Sequence, residues 1–134
     1  ERLPDESISH HKMPTMEEHL KFIGEHPYKA WYVIQDLEEK SKPFVGAVYL
    51  TYSNEIGIGI LDIYKRQHYA SAAIKALLDE HPDKFYYANI NPENLKSKEL
   101  FKRLGFKYYR CLMGHHAVTK KYQVVQETYR FISP

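Results

Sequence analysis

The sequence predicts a single small domain of the mixed α/β class. Its 134 residues fit one domain, and at that length about two thirds of the unfolded surface can be buried. Several short segments have the apolar patterns of β-strands, and three others follow the helical period. In order, the chain gives a helix, three strands, a helix, a strand, a helix and two strands. Such an order builds a mixed, mostly antiparallel sheet with flanking helices.

The first half of the chain is predicted to hold one helix and three strands. Thr15 and Glu18 have the spacing of a capping box, so a helix begins there, and Gly24 and Pro27 end it. The strands are residues 30–35, 44–52 and 55–61. The middle strand is apolar on both faces and should be central in the sheet. The short turn at residues 53–54 makes the second and third strands antiparallel neighbours.

The second half alternates helices and strands. Apolar residues share one face of segment 70–81, which Pro82 ends, and one face of segment 92–104, which Gly105 ends. The strands are residues 85–90, 106–113 and 122–132, with a break at 114–121 between the last two. The first helix of this half should connect two parallel strands as a crossover.

Composition and charge argue against several classes of function. A formal net charge of +2 is too small for a nucleic-acid binder but suits an anionic ligand. No segment has the roughly 18 apolar residues of a membrane span, and no signal peptide is evident, so a cytoplasmic location is expected. Cys111 is the single cysteine, so no disulfide can form within the chain. The eight histidines lack the spacing of a metal site, and no metal is expected.

Two blocks of sequence carry a resemblance to a known family. Residues 55–78 read EIGIGILDIYKRQHYASAAIKALL, a strand followed by a basic loop and an amphipathic helix. Residues 85–106 read FYYANINPENLKSKELFKRLGF, a buried strand, a loop with two asparagines and a short helix. In this order and spacing, the blocks resemble the GNAT superfamily of N-acetyltransferases. The second block matches the family pattern at Asn94, Ser97, Phe101, Gly105 and Phe106.

The resemblance implies an architecture and a co-substrate. The sheet should open into a V between residues 55–61 and 85–90, and acetyl-CoA should bind in the gap. Members of the family begin with a further strand and helix, and Glu1 and Arg2 resemble the tail of that helix. We therefore expect residues 1–134 to be one GNAT-like domain that lacks the first strand and most of the first helix.

The resemblance assigns the binding of acetyl-CoA to three groups of residues. The backbone of Ile60 and Leu61 would pair with the pantetheine arm as an added strand does. The loop before the next helix would cradle the pyrophosphate with helix N–H groups and basic side chains. This loop consists of Lys65, Arg66, Gln67, His68, Tyr69, Ala70 and Ser71. Asn94 would bond the pantetheine, Ser97 would lie near the phosphates, and Phe101 completes the last group.

The chain departs from the family pattern in the loop and in the last helix. His68 and Ala70 stand where the family prefers glycine, although histidine is one of the better non-glycine residues for positive φ. Phe101 stands where many members carry a tyrosine that protonates the departing thiolate, and phenylalanine cannot donate a proton. Tyr108 is the first candidate for that donor. Tyr109, water or no dedicated acid are the alternatives, since a thiolate with a pKa of about 8.5 leaves readily.

Glu55 is the candidate catalytic base. An ammonium group cannot attack a thioester until it loses a proton, and a carboxylate beside the cleft can take that proton directly or through water. Some family members place their base at a matching strand position. The alternative for Glu55 is a solvated residue at a strand end.

Together these features predict an enzyme that acetylates a primary amine directly from acetyl-CoA. The acceptor would be an amine-bearing small molecule or peptide, for example an amino sugar, a protein N-terminus or a small metabolite. A possible homodimer is expected, with no nucleic-acid or membrane partner. The second hypothesis is a degenerate GNAT fold that binds acyl-CoA, or nothing, as a regulatory or structural module, which His68 and Phe101 would favour. The third, a nucleic-acid binder that uses Lys, Arg and Tyr, is disfavoured by the small charge.

Overall fold

The computed structural model describes residues 28–65 and 68–134. The helix predicted at residues 15–24 lies outside these residues, as do Arg66 and Gln67 of the predicted phosphate loop. Within the described chain the predicted order of strands and helices is confirmed. None of the helices in this part of the chain combines the length and the apolar character that a membrane span requires.

The described elements match the predicted ones to within a few residues. The strands are β1 (Ala30–Gln35), β2 (Phe44–Leu50), β3 (Ile56–Ile60), β4 (Phe85–Ile90), β5 (Lys107–His116) and β6 (Lys121–Ile132). The helices are α1 (Tyr69–Glu80) and α2 (Leu95–Arg103), and a 3-10 turn at Asp62–Tyr64 follows β3. The largest difference for a helix is at α2, which begins at Leu95 because Asn94 is its N-cap.

The strands form two antiparallel sheets, in the orders β1-β2-β3 and β4-β6-β5. β2 is central in the first sheet, as predicted, and its residues from Val45 to Leu50 are buried. The antiparallel pairing of β2 with β3 is also confirmed. β3 and β4 run parallel, as a crossover through α1 requires, but they belong to different sheets. The division between the sheets therefore falls where the V was predicted.

The hairpin of β5 and β6 is longer than expected. The predicted break at residues 114–121 was wrong, because β5 runs to His116 and β6 begins at Lys121. Gly114 looked like an interruption because it has no side chain, yet it pairs with Gln123 within the ladder. The connecting turn is therefore confined to residues 117–120, where Lys120 has a φ of 58°.

The core lies between the two helices and one face of both sheets. Ile74 and Leu77 of α1 and Phe101 of α2 are buried, as their helical spacing predicted. They belong to one cluster with inward strand residues, among them Val48, Leu50, Ile56, Tyr86, Ala88, Ile90 and Tyr129. We call this side of the sheets the helix face. Gly105, with a φ of 97°, ends α2 as predicted.

Candidate active site

The V between β3 and β4 is closed at one end by a single bridge. In the described chain, the two sheets are joined by one parallel bridge, between Glu55 and Tyr87. Beyond this bridge no further described pair connects the strands, so the gap opens toward Ile60 and Ile90 at their carboxyl ends. The carboxyl ends of diverging parallel strands are a common place for a ligand.

Asn54 holds the closed end of the V together. Its side-chain amide donates to Asp83 Oδ2 at 2.7 Å and to the Phe85 carbonyl at 2.9 Å. Its own carbonyl accepts the Tyr87 N–H at 2.8 Å, and its Oδ1 accepts from Lys29 Nζ at 3.3 Å. The sequence indicated only a turn at this position, because Asp83 and Phe85 are 29 and 31 residues away. Asn54 thus fastens the turn before β3 to the start of β4.

The backbone groups of β3 alternate between β2 and the gap. The Thr51 N–H donates to the Glu55 carbonyl at 2.9 Å, and the Leu61 N–H donates to the Val45 carbonyl at 2.8 Å. Odd-numbered residues of this strand therefore face β2, and the backbone of Ile60 faces the gap. Of the two backbone positions assigned to the pantetheine arm, Ile60 is well directed. The N–H of Leu61 is already bonded within the sheet.

The start of α1 has the conformation expected of a loop that approaches phosphate. His68 is the N-cap of α1 and has a φ of 64° and a ψ of 13°, the left-handed region that favours glycine. The Ser71 hydroxyl donates to the His68 carbonyl at 3.1 Å. Lys65 forms an ion pair with Asp62 at 3.2 Å. Because this helix start follows the carboxyl end of β3, its N–H groups lie at the open end of the V.

Tyr69 and Ala70 form the first turn of α1. The Tyr69 hydroxyl donates to Asp36 Oδ2 at 2.5 Å, which ties the helix start to the loop after β1. This hydrogen bond raises the pKa of Tyr69 to about 12 and lowers the pKa of Asp36. The hydroxyl of Tyr69 therefore positions the predicted phosphate loop instead of pointing at a ligand.

Asn94 and Ser97 lie at the start of α2, just beyond the carboxyl end of β4. Asn94 is the N-cap, and its Oδ1 accepts the Ser97 N–H at 3.2 Å. This local bond accounts for an asparagine at position 94 in structural terms. The starts of α1 and α2 nevertheless follow the carboxyl ends of β3 and β4, the two strands that border the open end of the V.

Phe101 lies within the core. Its side chain is 0% exposed, and its ring packs edge-on against Phe106 with the centroids 5.0 Å apart. No surface of Phe101 is available to a ligand, so its position does not support the assignment to the cofactor site. The residue that replaces the family's tyrosine acts as a core residue.

Glu55 and Tyr108 project to opposite faces of the sheets. Residues directly opposite on paired strands share a face. Glu55 pairs with Tyr87, and Tyr87 pairs with Arg130, so these three lie on one face. Tyr108 instead pairs with Tyr129, which is buried on the helix face. A hydrogen bond with Cys111 also raises the pKa of Tyr108. The structure does not bring the two predicted catalytic residues together.

Tyr109 follows Tyr108 in β5 and therefore lies on the opposite face, which is the face of Glu55. In the ladder of β5 and β6, Tyr108 and Arg110 pair with consecutive residues, which leaves Tyr109 as the extra residue. The Tyr109 ring lies 5.8 Å from the Tyr87 ring, centroid to centroid. We call the face defined by Glu55, Tyr87, Tyr109 and Arg130 the Glu55 face. Tyr87 and Arg130 were not singled out from the sequence, since their neighbours depend on strand register.

A comparison with protein families identifies the family of the domain that contains this V-shaped site. The family described as the acetyltransferase (GNAT) domain matches residues 5–107. The chain belongs to the GNAT acetyltransferases. The resemblance found in the sequence is thus confirmed, together with the prediction of an acyltransferase that uses acetyl-CoA as co-substrate.

Solved structures share the fold of this GNAT domain. A domain from Methanocaldococcus jannaschii superposes with a TM-score of 0.69 at 23% identity, over 95% of this chain and 82% of that one. Spermidine N-acetyltransferase from Vibrio cholerae, in complex with CoA and spermine, gives 0.67 at 19% identity, over 89% and 76%. The microcin C7 self-immunity acetyltransferase MccE, in complex with acetyl-CoA and AMP, gives 0.56 at 20%, over 69% and 56%. No curated protein sequence matches the chain.

The described part of this GNAT domain contains no group of three His, Cys, Asp or Glu side chains that could hold a metal ion. Cys111 is exposed on β5.

Substitution of His68 tests the strained start of α1. His68→Gly should change the free energy of unfolding by less than about 1 kcal/mol, since relief at positive φ offsets the greater chain entropy of glycine. His68→Val should lower it by about 1–2 kcal/mol and weaken CoA binding, because a β-branched residue resists this conformation. Urea unfolding and titration with CoA would measure both effects. His115→Val, on a strand, is the control, and equal stability of the two valine variants would contradict the prediction.

Proposed function

We propose that this GNAT domain transfers the acetyl group of acetyl-CoA to a primary amine by direct attack, without an acyl-enzyme. The observation that carries the proposal is the V itself. Glu55 lies at its closed end, and two helix starts flank its open end. The N–H groups at one end of the gap suit the phosphates of the thioester co-substrate. The carboxylate at the other end suits an amine that must lose a proton.

The residues at the open end of the V would hold the co-substrate. The N–H groups at the start of α1, from His68 to Ser71, with Lys65 beside them, suit the pyrophosphate. Arg66 and Gln67 are assigned to the phosphate-binding residues by the sequence prediction alone. The backbone of Ile60 would pair with the pantetheine arm as an added strand. The start of α2, with Asn94 and Ser97, forms the opposite wall.

Glu55 would accept the proton that the attacking ammonium must lose. The amine nitrogen then forms a bond to the thioester carbonyl carbon, the carbon–sulfur bond breaks, and sulfur leaves with the electron pair as a thiolate. The nitrogen, which is positively charged after the attack, releases its second proton to water and becomes the neutral amide. Tyr109 shares the face of Glu55 and replaces Tyr108 as the side chain that could return a proton. A dedicated acid is not required, because a thiolate with a pKa of about 8.5 leaves readily at neutral pH.

The acceptor is proposed to be an amine-bearing small molecule or peptide. The solved relative from Vibrio cholerae is a spermidine N-acetyltransferase, which supports an amine acceptor for this fold. An amino sugar, a protein N-terminus and a small metabolite are the classes that the sequence predicted. The cytoplasmic location and the single GNAT-like domain also stay predictions from the sequence.

Two measurements on the full chain test the proposal. Calorimetric titration with acetyl-CoA and CoA measures binding, and thiol release with a panel of primary amines measures transfer. Binding with transfer to at least one amine supports the enzyme. Binding without transfer to any amine would favour the regulatory module instead, and failure to bind either nucleotide would refute the enzyme.

The hairpin supports the proposal of a homodimer. β4 ends at Ile90, opposite Glu127, so residues 121–126 of β6 pair with β5 alone in the described chain. Large apolar side chains are exposed on this ribbon: Leu112, Met113, Val118, Tyr122, Val124 and Val125. A two-stranded ribbon is marginal alone, and apolar patches of this kind mark contact surfaces.

Light scattering tests the dimer. The chain should have the mass of a dimer, and a double variant, Tyr122→Lys with Val124→Lys, should be monomeric because two charges would enter the apolar contact. Val45→Ala, at a buried position near the start of β2, controls for general loss of stability. A monomeric parent chain would contradict the proposal.

A further inference from the structure

A row of four side chains crosses the Glu55 face. Glu55, just before β3, pairs with Tyr87 on β4, which pairs with Arg130 on β6, which pairs with Lys107 on β5. Residues paired in this way project to the same face. Neighbouring strands are about 4.8 Å apart, so the backbones of Glu55 and Arg130, two strands apart, are separated by about 10 Å. The row is negative at one end and positive at the other.

Aromatic rings hold the guanidinium of Arg130. Its Cζ lies 4.2 Å from the centroid of the Tyr109 ring and 5.4 Å from that of the Phe85 ring. Stacking of this kind orients the planar group while its N–H edge can still bind a carboxylate or phosphate in bidentate fashion. Arg130 is half-buried, so a charge bound there is less screened than in bulk water.

The β-bulge brings a second arginine to the same place. Because Tyr109 is the extra residue, Arg110 also falls on the Glu55 face, with its Cζ 5.5 Å from the centroid of the Tyr109 ring. Lys107 adds a third positive charge. In the described chain, none of these three cations has a carboxylate within ion-pair distance. Clustered like charges without counter-charges favour an anionic ligand.

We infer that the acceptor is a small amine with a carboxylate or phosphate group, which Arg130 binds together with Arg110 while the amine lies at Glu55. This inference rests on the proposed acetyl transfer and names its substrate class. The charges of such a molecule match the row from end to end. A polyamine, which is cationic along its length, would meet two arginines and a lysine on this face, and that repulsion selects against it.

Matched pairs of amines test the inference. Thiol release is measured for ω-amino carboxylates against n-alkylamines of the same chain length, and for the phosphate ester of glucosamine against glucosamine. The anionic member should have a KM about ten-fold lower, and Arg130→Met should remove that difference with kcat little changed. Methionine retains an apolar stem beside the rings. The two pairs distinguish a carboxylate from a phosphate.

Arg103→Met is the matched control. Arg103 lies on α2, where it forms an ion pair with the exposed Glu99 at 3.9 Å. Its replacement should leave the KM of both the anionic and the neutral amine of each pair unchanged. Equal KM values within both pairs, or an Arg130→Met effect as large on the neutral amine, would overturn the inference. If acetyl-CoA binds but no amine is acetylated, the same pairs are compared by thermal shift of the CoA-loaded chain. Stabilisation by the anionic member that Arg130→Met removes would then support the inference, and its absence would overturn it.

Discussion

Glu55→Gln should lower kcat about 100-fold or more while the affinity for acetyl-CoA stays unchanged. Glutamine keeps the size of the side chain but cannot take a proton from an ammonium group. The fold should tolerate the change, because Glu55 is fixed through its backbone. Its N–H donates to Thr51 Oγ1 at 3.0 Å, and its carbonyl accepts the Thr51 N–H at 2.9 Å.

Initial rates of thiol release at saturating amine measure this effect, and calorimetric titration measures the affinity. Glu80→Gln, at the far end of α1 and exposed, is the control and should retain the parent kcat. A Glu55→Gln variant within three-fold of the parent, as a rough limit, would show that another group or water takes the proton.

Asn54→Ala should lower the free energy of unfolding by about 3 kcal/mol. The substitution removes the hydrogen bonds to Asp83, Phe85 and Lys29 at a position that is only 9% exposed. It also places alanine at a φ of 60°, which asparagine tolerates better. Asn54→Gly should recover about 1 kcal/mol of the loss, because it relieves the backbone but restores no hydrogen bond.

The effect of Asn54→Ala should depend on pH. Its hydrogen bond, ahead of the bond from the Lys84 N–H, lowers the pKa of Asp83 from its ordinary value of 3.8. A carboxyl group whose pKa is lowered in the folded state stabilises the fold at pH values above its unfolded pKa. That contribution is lost as the pH falls through the pKa of the folded state. The difference in the free energy of unfolding between the parent and Asn54→Ala should therefore become smaller below pH 3.8. Urea unfolding at neutral and acid pH measures it.

Asn91→Ala is the control for Asn54→Ala. Asn91 is exposed, and its side chain accepts a single hydrogen bond, from the Glu93 N–H at 2.9 Å. Its replacement should cost less than about 1 kcal/mol and show no such dependence on pH. An equal loss for both variants would contradict the role of Asn54 at the closed end of the V.

The sequence alone was sufficient for the elements and for the family. Helical spacing placed Ile74, Leu77 and Phe101 inward, and they are buried. The position of His68 in the family pattern indicated a need for positive φ, and the residue has it. Such features are local, because they depend on residues within one or two turns of the same element.

Only the tertiary structure decided which side chains meet at the site. Asn54 acts on residues about thirty positions away, and no local pattern encodes that contact. Tyr108 and Tyr109 project to opposite faces in any strand, but only the register of β5 against β6 decides that Tyr109 is the one on the Glu55 face, and the bulge adds Arg110 to that face. In a strand the side chains alternate, so a shift of one residue exchanges the two faces. The sequence therefore determined a GNAT domain and a predicted co-substrate loop, while strand pairing determined which residues surround Glu55.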